Sequence, residues 1–80
     1  MQQNVEQDTQ TIKEMLRRLL GHESIDDDGD IYEAGLTSIM VLPLVSEIEE
    51  SFGLTIPDDD FLDARTPRAL SQMIHRLRGN

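Results

Sequence analysis

The 80-residue sequence contains no cysteine and no tryptophan, and only one tyrosine and two phenylalanines. Without cysteine the chain has no disulfide, no thiolate metal ligand and no thiol nucleophile of its own. It also has no apolar run near the roughly 20 residues that a membrane span requires, and its polar N-terminus has no secretory signal segment. These absences predict a cytoplasmic protein with one domain and one small core.

Basic residues are scarce, because seven Lys and Arg stand against sixteen Asp and Glu, for a net charge of -9. The stretch between Arg18 and Arg65 has no Lys or Arg and contains thirteen carboxylates. This balance disfavours nucleic acids and anionic membranes, which would be repelled, and favours basic protein partners. The acidic middle is therefore either a face of one sign for such a partner or ordinary solvated surface.

Apolar spacing predicts a first helix over about residues 8–20. A Thr-x-x-Glu pattern at Thr11 and Glu14 is typical of a capping box, and Gly21 is a natural stop. The polar segment before this helix, residues 1–7, is expected to be flexible.

Two further segments have the spacing of amphipathic helices. Residues 38–51 carry the strongest periodic pattern and are followed by Gly53 as the expected C-cap. The last helix is predicted to start at Thr66 and Pro67, as N-cap and first helical residue, and to continue to Leu77.

The connections complete the predicted architecture. Residues 22–37 form a loop that is long for a small domain, with apolar residues that could enter the core, namely Ile25, Ile31, Tyr32, Ala34 and Leu36. Residues 54–57 read as an extended connector, and residues 58–63 as a single helical turn opened by aspartates. The expected fold is all-α, a small four-helix bundle of three main helices and one short helix, with a long first loop.

The helix over residues 38–51 has two distinct faces at about 100° per residue. Its core stripe contains Val41, Leu44, Val45, Ile48 and Phe52. The opposite face contains Ile39, Pro43, Ser46, Glu47 and Glu50, with Leu42 and Glu49 at one edge of the stripe. One face is expected to be buried, and the other to be acidic with an apolar residue near its start.

A catalytic site is not predicted. His22 and His75 are the only imidazoles, and neither has a serine or a carboxylate at a recognisable catalytic spacing. The sequence therefore indicates a protein that is not an enzyme.

Residues 24–31 overlay part of an EF-hand calcium loop, with Asp26 and Asp28 at ligand positions. The first ligand position is Ser24, however, and the position of the bidentate glutamate is Gly35. Because the ligands at the first and last positions of the loop are missing, most of the calcium affinity of an EF-hand is lost, and no metal site is predicted. Weak cation binding to the acidic middle is the more reasonable expectation.

Ser38 stands at the junction of the long loop and the second helix. A serine there has an ordinary explanation as a residue that opens a helix. The free N–H groups and the positive dipole end of a helix N-terminus would also stabilise a phosphate attached at this position. Ile39 beside it is an apolar residue that the bundle does not need. A modified serine flanked by this apolar residue and the acidic helix face would suit the docking of a partner, although the serine alone indicates little.

The segment DIYEAGLTSI, residues 30–39, resembles the phosphopantetheine attachment motif of acyl and peptidyl carrier proteins. That motif has Asp, an aromatic or aliphatic residue two positions later, Gly, and Ser followed by Leu or Ile. The resemblance continues through EIEESFGLTIP, residues 47–57, which is similar to the acidic end of the family's second helix and the turn after it. With the last helix it covers about residues 8–78, the expected carrier protein domain.

The resemblance implies a right-handed bundle in which a phosphopantetheinyl transferase moves 4'-phosphopantetheine from coenzyme A onto Ser38. The thiol of this arm would hold acyl or aminoacyl groups as thioesters for enzymes that load, transfer or condense them through basic docking patches. The expected apolar contacts for such enzymes are Ile39 and Leu42, and the expected electrostatic contacts are Glu47, Glu49 and Glu50. The chain is expected to be a monomer.

Two departures from the family pattern are informative. Carriers of fatty acid synthesis usually read Asp-Ser-Leu at the site, whereas this chain has Thr37-Ser38-Ile39. This difference favours a stand-alone carrier of polyketide or nonribosomal peptide biosynthesis, with a fatty acid synthesis carrier as the alternative.

Pro43 lies inside the second helix and crowds the carbonyl of Ile39, so we expect a slight kink or a loosened first turn.

Two other hypotheses stay open at this point. One is a divalent-cation-binding helical protein that uses Asp26, Asp28 and Asp30. The other is a helical interaction module that binds its partner without any modification of Ser38.

Overall fold

The computed structural model describes residues 4–21 and 25–79 and contains four helices in this range, α1 Val5–Leu20, α2 Ser38–Phe52, α3 Asp58–Asp63 and α4 Pro67–Leu77. The described residues include no β-strand. α1 packs chiefly against α4 and also against α2, and α3 packs on α4. The predicted all-α architecture of three main helices and one short helix is confirmed. Among the described residues, no helix is long and apolar enough to cross a membrane.

The start of α1 differs from the prediction, because the helix begins at Val5 and not near residue 8. Asn4 is its N-cap, and the side chain of Asn4 accepts a hydrogen bond from the N–H of Gln7 over 2.7 Å. Residues 4–7 of the segment expected to be flexible therefore form the cap and first turn, while residues 1–3 lie outside the described part.

The predicted capping box at Thr11 is wrong. Thr11 lies inside α1, and its hydroxyl donates to the carbonyl of Gln7 over 3.3 Å. Two polar residues before it, Asp8 and Thr9, are buried, and the Thr9 hydroxyl donates to Ser71 Oγ of α4 over 2.8 Å. Burial of Asp8 and Thr9 explains why the helix extends further than its apolar pattern.

α2 keeps the predicted bounds to within one residue. Gly53 ends it with φ of 67°, and the Gly53 N–H donates to the carbonyl of Glu49 over 2.9 Å. The helix is not broken at Pro43. Its first turn is tightened and not loosened, since the N–H of Met40 donates to the carbonyl of Thr37, three residues back, over 3.0 Å. The expected kink stays a prediction.

The second half of the chain follows its sequence signals. Thr66 Oγ1 accepts from the N–H of Ala69 over 3.0 Å, and Pro67 is the first residue of α4. The predicted single turn at α3 is confirmed, and it buries Phe61 almost completely.

All four helices and three connections contribute to one core. Its buried members are Ile12, Met15, Leu16, Ile25, Ile31, Leu36, Leu44, Ile48, Ile56, Phe61, Ala64, Leu70, Met73 and Ile74. The predicted core stripe of α2 is fully buried only at Leu44 and Ile48, and its other three members pack against the core while partly exposed. The predicted entry of loop residues into the core is confirmed for Ile25, Ile31 and Leu36.

Basic residues from α1 and α4 hold the first loop. Lys13 Nζ lies 2.7 Å from Asp27 Oδ1, and Arg68 Nε lies 2.9 Å from Asp28 Oδ1. The N–H of Arg68 also donates to the carbonyl of Asp27 over 2.9 Å. The pKa of Asp27 is lowered from its ordinary value, mainly by the hydrogen bond from Lys13. The loop is thus an ordered part of the fold, although it has no helix or strand.

Candidate functional site

Ser38 is the first residue of α2, and it is exposed. Thr37 before it has an extended backbone, with φ of -110° and ψ of 168°, and its side chain makes no capping hydrogen bond. The N–H groups of the first turn therefore have no hydroxyl cap from Thr37 in front of them. The result is a hydroxyl at the rim of the bundle, beside the positive end of a helix dipole.

The loop before Ser38 is folded into consecutive turns. Asp30 Oδ1 accepts from the N–H of Tyr32 over 2.8 Å and from the N–H of Glu33 over 3.1 Å. Gly35 has φ of 125°, a conformation that favours glycine, and this lets the N–H of the next residue, Leu36, return to the carbonyl of Ile31 over 3.0 Å. Leu36 is buried, so the chain is anchored in the core just before it emerges at Ser38.

Asp30 is held in its charged form. The hydrogen bond from Arg65 lowers the pKa of Asp30 from its ordinary value, with smaller contributions from the N–H groups of Glu33 and Tyr32, while partial burial opposes them. A carboxylate whose pKa is lower in the folded state stabilises the fold above its unfolded-state pKa. That contribution is lost as the pH falls through the lowered pKa of Asp30. Near neutral pH the Asp30 carboxylate is therefore charged and stabilises the turns before Ser38.

An apolar surface surrounds Ser38. Ile39 is 86% exposed, Leu42 is 74% exposed, and Leu62 from α3 is 57% exposed. A pocket of about 450 Å³ opens beside Ser38, lined by Tyr32, Leu36, Thr37, Ser38, Val41 and Leu62. A second pocket of about 280 Å³ between α2 and α3 shares Val41 and Leu62 with the first. The two pockets together form a groove between α2 and α3, and Ser38 stands at one end of it.

The groove contains residues that the sequence did not identify as functional. Leu62 stands next to Phe61 in a helix of a single turn, where only one of the two can enter the core. Nothing in the pattern DDDFLD indicates which one stays outside. Val41 was predicted as core and is only partly buried, so it also forms part of the groove.

The predicted partner residues on α2 fall into different environments. Ile39, Leu42 and Glu50 are exposed. Glu47 Oε2 lies 2.8 Å from Arg18 Nη2 in a partly exposed ion pair. Glu49 Oε2 accepts the N–H of Ile56 over 2.8 Å. Glu49 therefore holds the connector to α3 in addition to any role toward a partner.

The acidic middle of the sequence does not form one continuous acidic face. Asp27, Asp28, Asp30 and Glu47 are each paired with a basic residue from one of the two ends of the chain. No ion pair within the described residues involves the carboxylates that remain on α2 and α3, namely Glu49, Glu50, Asp58, Asp59, Asp60 and Asp63. Of these, Asp58 lines the pocket between α2 and α3, whereas Asp60 and Asp63 line a separate pocket between α3 and α4.

The structure gives little support to the cation-binding hypothesis. Asp28 and Asp30, two of the three proposed cation ligands, are bonded to Arg68 and Arg65. The part of the chain that the structure describes contains no cluster of three or more His, Asp or Glu side chains suited to a metal ion. His75 is exposed on α4, as expected for a surface residue, and His22 and Ser24 lie outside the described residues.

Comparisons with known proteins agree with this geometry. Residues 10–74 match the family model described as "Phosphopantetheine attachment site". The anthracycline acyl carrier protein DpsG of Streptomyces peucetius is 30% identical over 73 residues, which cover 84% of this chain and 87% of that protein.

Further relatives have similar descriptions. The oxytetracycline polyketide synthase acyl carrier protein of Streptomyces rimosus is 38% identical over 65 residues, covering 74% of this chain and 68% of that protein. The non-reducing polyketide synthase dbaI of Emericella nidulans is 36% identical over 57 residues, covering 69% of this chain but 2% of that synthase. The matched range includes the exposed serine, the loop that holds it and the groove beside it, and the chain belongs to the acyl carrier protein family, whose cofactor is phosphopantetheine.

Proposed function

We propose that Ser38 is the residue that carries 4'-phosphopantetheine and that the chain holds acyl intermediates of polyketide biosynthesis as thioesters on this arm. The observation that carries the proposal is the exposed hydroxyl at the start of α2, presented by an ordered loop. The relatives whose names refer to anthracycline and oxytetracycline synthesis support a polyketide pathway over a fatty acid or nonribosomal peptide pathway.

The residues around Ser38 fit a phosphate-linked arm. Thr37 does not cap the first turn of α2 with its side chain, so the N–H groups of Ser38 and Ile39 can face a phosphodiester, while the N–H of Met40 donates to the carbonyl of Thr37. The adjoining groove offers an apolar wall next to Ser38. The arm supplies a thiol that forms thioesters, a group that this cysteine-free chain cannot supply itself.

The attachment step requires little chemistry from the chain. The oxygen of the Ser38 hydroxyl forms a bond to the phosphorus next to pantetheine, and the bond from that phosphorus to the adenosine bisphosphate part of coenzyme A breaks. The hydroxyl proton passes to a base of the transferase, because the described residues place no side chain in a hydrogen bond with Ser38. The chain supplies the nucleophile and its position, and we propose that it is not itself an enzyme.

Mass spectrometry of the intact protein tests the attachment. We expect the wild-type chain, incubated with coenzyme A and a phosphopantetheinyl transferase of broad specificity, to gain the mass of one phosphopantetheine. A chain that stays at its unmodified mass, while an established carrier protein is modified in the same tube, would contradict the proposal.

We also propose that basic partner enzymes dock on the outer face of α2. Ile39 and Leu42 are exposed apolar contacts, and Glu47 and Glu50 are the carboxylates beside them. Charges of this kind mainly raise the rate of association and fix the orientation of the complex. Glu49 is a weaker test residue, because its reversal would also remove the bond to the N–H of Ile56.

Reversal of Glu50 is expected to slow docking. We expect Glu50→Lys to lower the association rate with the cognate transferase or condensing enzyme about two- to fivefold at low salt, and less at high salt, because ions screen the interaction. Stopped-flow or surface plasmon resonance would measure the rate. Glu14→Lys on α1 is the control for net charge, since it changes the charge equally on an exposed site outside α2, and it also removes the ion pair of Glu14 with Arg17. Equal effects of both variants would show that only net charge matters.

A further inference from the structure

Arg65, in the connection between α3 and α4, makes three separate contacts with the loop that presents Ser38. Its Nε lies 2.9 Å from Asp30 Oδ2, and its carbonyl accepts the N–H of Ile31 over 2.8 Å. Its guanidinium carbon also lies 4.6 Å from the centre of the Tyr32 ring. One residue thus contacts three consecutive loop residues by an ion pair, a backbone hydrogen bond and a cation–π interaction.

The ring of Tyr32 is part of the site. Tyr32 lines the pocket beside Ser38, together with Leu62 of α3 and Val41 of α2. Any enzyme or arm that approaches Ser38 from this side meets the ring. The position of the ring therefore affects the shape of this pocket.

The Tyr32 side chain is not fixed by its own hydroxyl. That hydroxyl is buried and has no hydrogen-bond partner among the described residues. The contacts that remain are packing against the core and the guanidinium of Arg65 over the ring face. Arg65 in turn is oriented by Asp30, whose other oxygen accepts the N–H groups of Tyr32 and Glu33. The guanidinium of Arg65 therefore contacts the Tyr32 ring directly and, through Asp30, also supports the backbone N–H groups of Tyr32 and Glu33.

We propose that Arg65 is a positioning residue for the reaction at Ser38, which holds Tyr32 as a fixed wall of the pocket beside the serine. The inference rests on the proposed attachment at Ser38. Arg65 does not touch the reacting atoms and acts through Tyr32 and the turns of residues 30–36. A fixed wall lowers the cost of ordering when the transferase binds, so Arg65 acts on recognition of the carrier and not on the chemical step.

Transferase kinetics with the unmodified chain as the varied substrate test this role. We expect Arg65→Ala to raise KM for the chain about fivefold, with kcat within about twofold of wild type, because the cation–π contact and the ion pair are both lost. Arg65→Lys keeps the charge and is expected to recover most of the loss. Tyr32→Leu should itself raise KM, and in that background Arg65→Ala should add little.

Two further variants separate positioning from general stability. Arg68→Ala removes ion pairs to Asp27 and Asp28 in the same loop, and among the described residues no hydrogen bond or cation–π interaction joins Arg68 to Tyr32, so we expect its KM to equal that of wild type. Asp30→Asn keeps an acceptor for the loop N–H groups and removes the charge that orients Arg65. It is expected to raise KM in the same direction as Arg65→Ala, and it serves if Arg65→Ala does not fold.

The outcomes are distinct. A wild-type chain that gains no phosphopantetheine would overturn the attachment proposal itself. A wild-type chain that is modified, with Arg65→Ala and Asp30→Asn showing unchanged KM, would overturn only the role of Arg65. Equal increases of KM in Arg65→Ala and Arg68→Ala would also overturn it, because loosening of the whole loop would then explain the effect.

Discussion

A Ser38→Ala chain is expected to keep its unmodified mass under conditions in which the wild-type chain becomes fully modified. The methyl group has no nucleophilic atom, so no bond to phosphorus can form at this position. The substitution leaves the fold intact, because Ser38 is exposed, its hydroxyl caps no helix, and alanine is favourable in a helix. We expect a change in the free energy of unfolding within about 0.5 kcal/mol.

Matched hydroxyl variants give this experiment its specificity. Ser46→Ala removes an exposed hydroxyl from the same helix and should leave the mass gain complete. Thr37→Ala removes the neighbouring hydroxyl, which makes no capping bond, and the single modification should persist. A mass gain that survives in Ser38→Ala, or a modified peptide that lacks Ser38, would move the attachment site elsewhere.

Local signals in the sequence predicted the start of α4 and the end of α2 correctly, although the local signal at Thr11 was wrong. Thr66 and Pro67 start α4, and Gly53 ends α2, because a cap, a fixed φ and a left-handed glycine act within a few residues. The exposed serine at a loop–helix junction followed from the same local pattern. The fold class and the position of the candidate site could thus be predicted.

Contacts between distant parts of the chain were not predictable. The separation of basic ends from an acidic middle suggested one acidic face, but the fold brings Lys13, Arg65 and Arg68 onto the loop. Pairing of this kind depends on tertiary packing, which no spacing rule expresses. Four of the carboxylates that form no ion pair within the described residues, Asp58, Asp59, Asp60 and Asp63, belong to α3, a helix too short to have a periodic pattern.

The start of α1 shows the same limit. Asp8 stands four residues before Ile12, on the face of the apolar stripe, and as a charged residue it reads as the solvated end of that stripe, yet it is fully buried. Its burial follows from packing of α1 along α4, including the hydrogen bond between Thr9 and Ser71. A helix start predicted from the apolar pattern therefore falls too late in the chain when the first turns of the helix bury polar residues, as Thr9 does against Ser71.

Arg78→Ala is expected to be the most destabilising of the surface substitutions. Both carboxylate oxygens of Asp8 are buried without a hydrogen bond, and Arg78 Nη1 is 3.6 Å from Asp8 Oδ2. The guanidinium carbon of Arg78 is also 5.4 Å from the centre of the Phe52 ring. Removal of Arg78 would leave a buried carboxylate without its ion-pair partner, so we expect a loss of about 2–3 kcal/mol in the free energy of unfolding.

Urea unfolding of a double-mutant cycle would measure this coupling. Asp8→Ala removes the buried charge and leaves Arg78, whose side chain is 31% exposed, in contact with water, so its cost should stay within about 1 kcal/mol. The double variant Asp8→Ala/Arg78→Ala should then be more stable than Arg78→Ala alone, because the unpaired charge is gone. Arg76→Ala, which removes an exposed arginine of α4, is the control, with an expected change within about 0.5 kcal/mol. An Arg78→Ala chain as stable as that control would show that water already solvates Asp8.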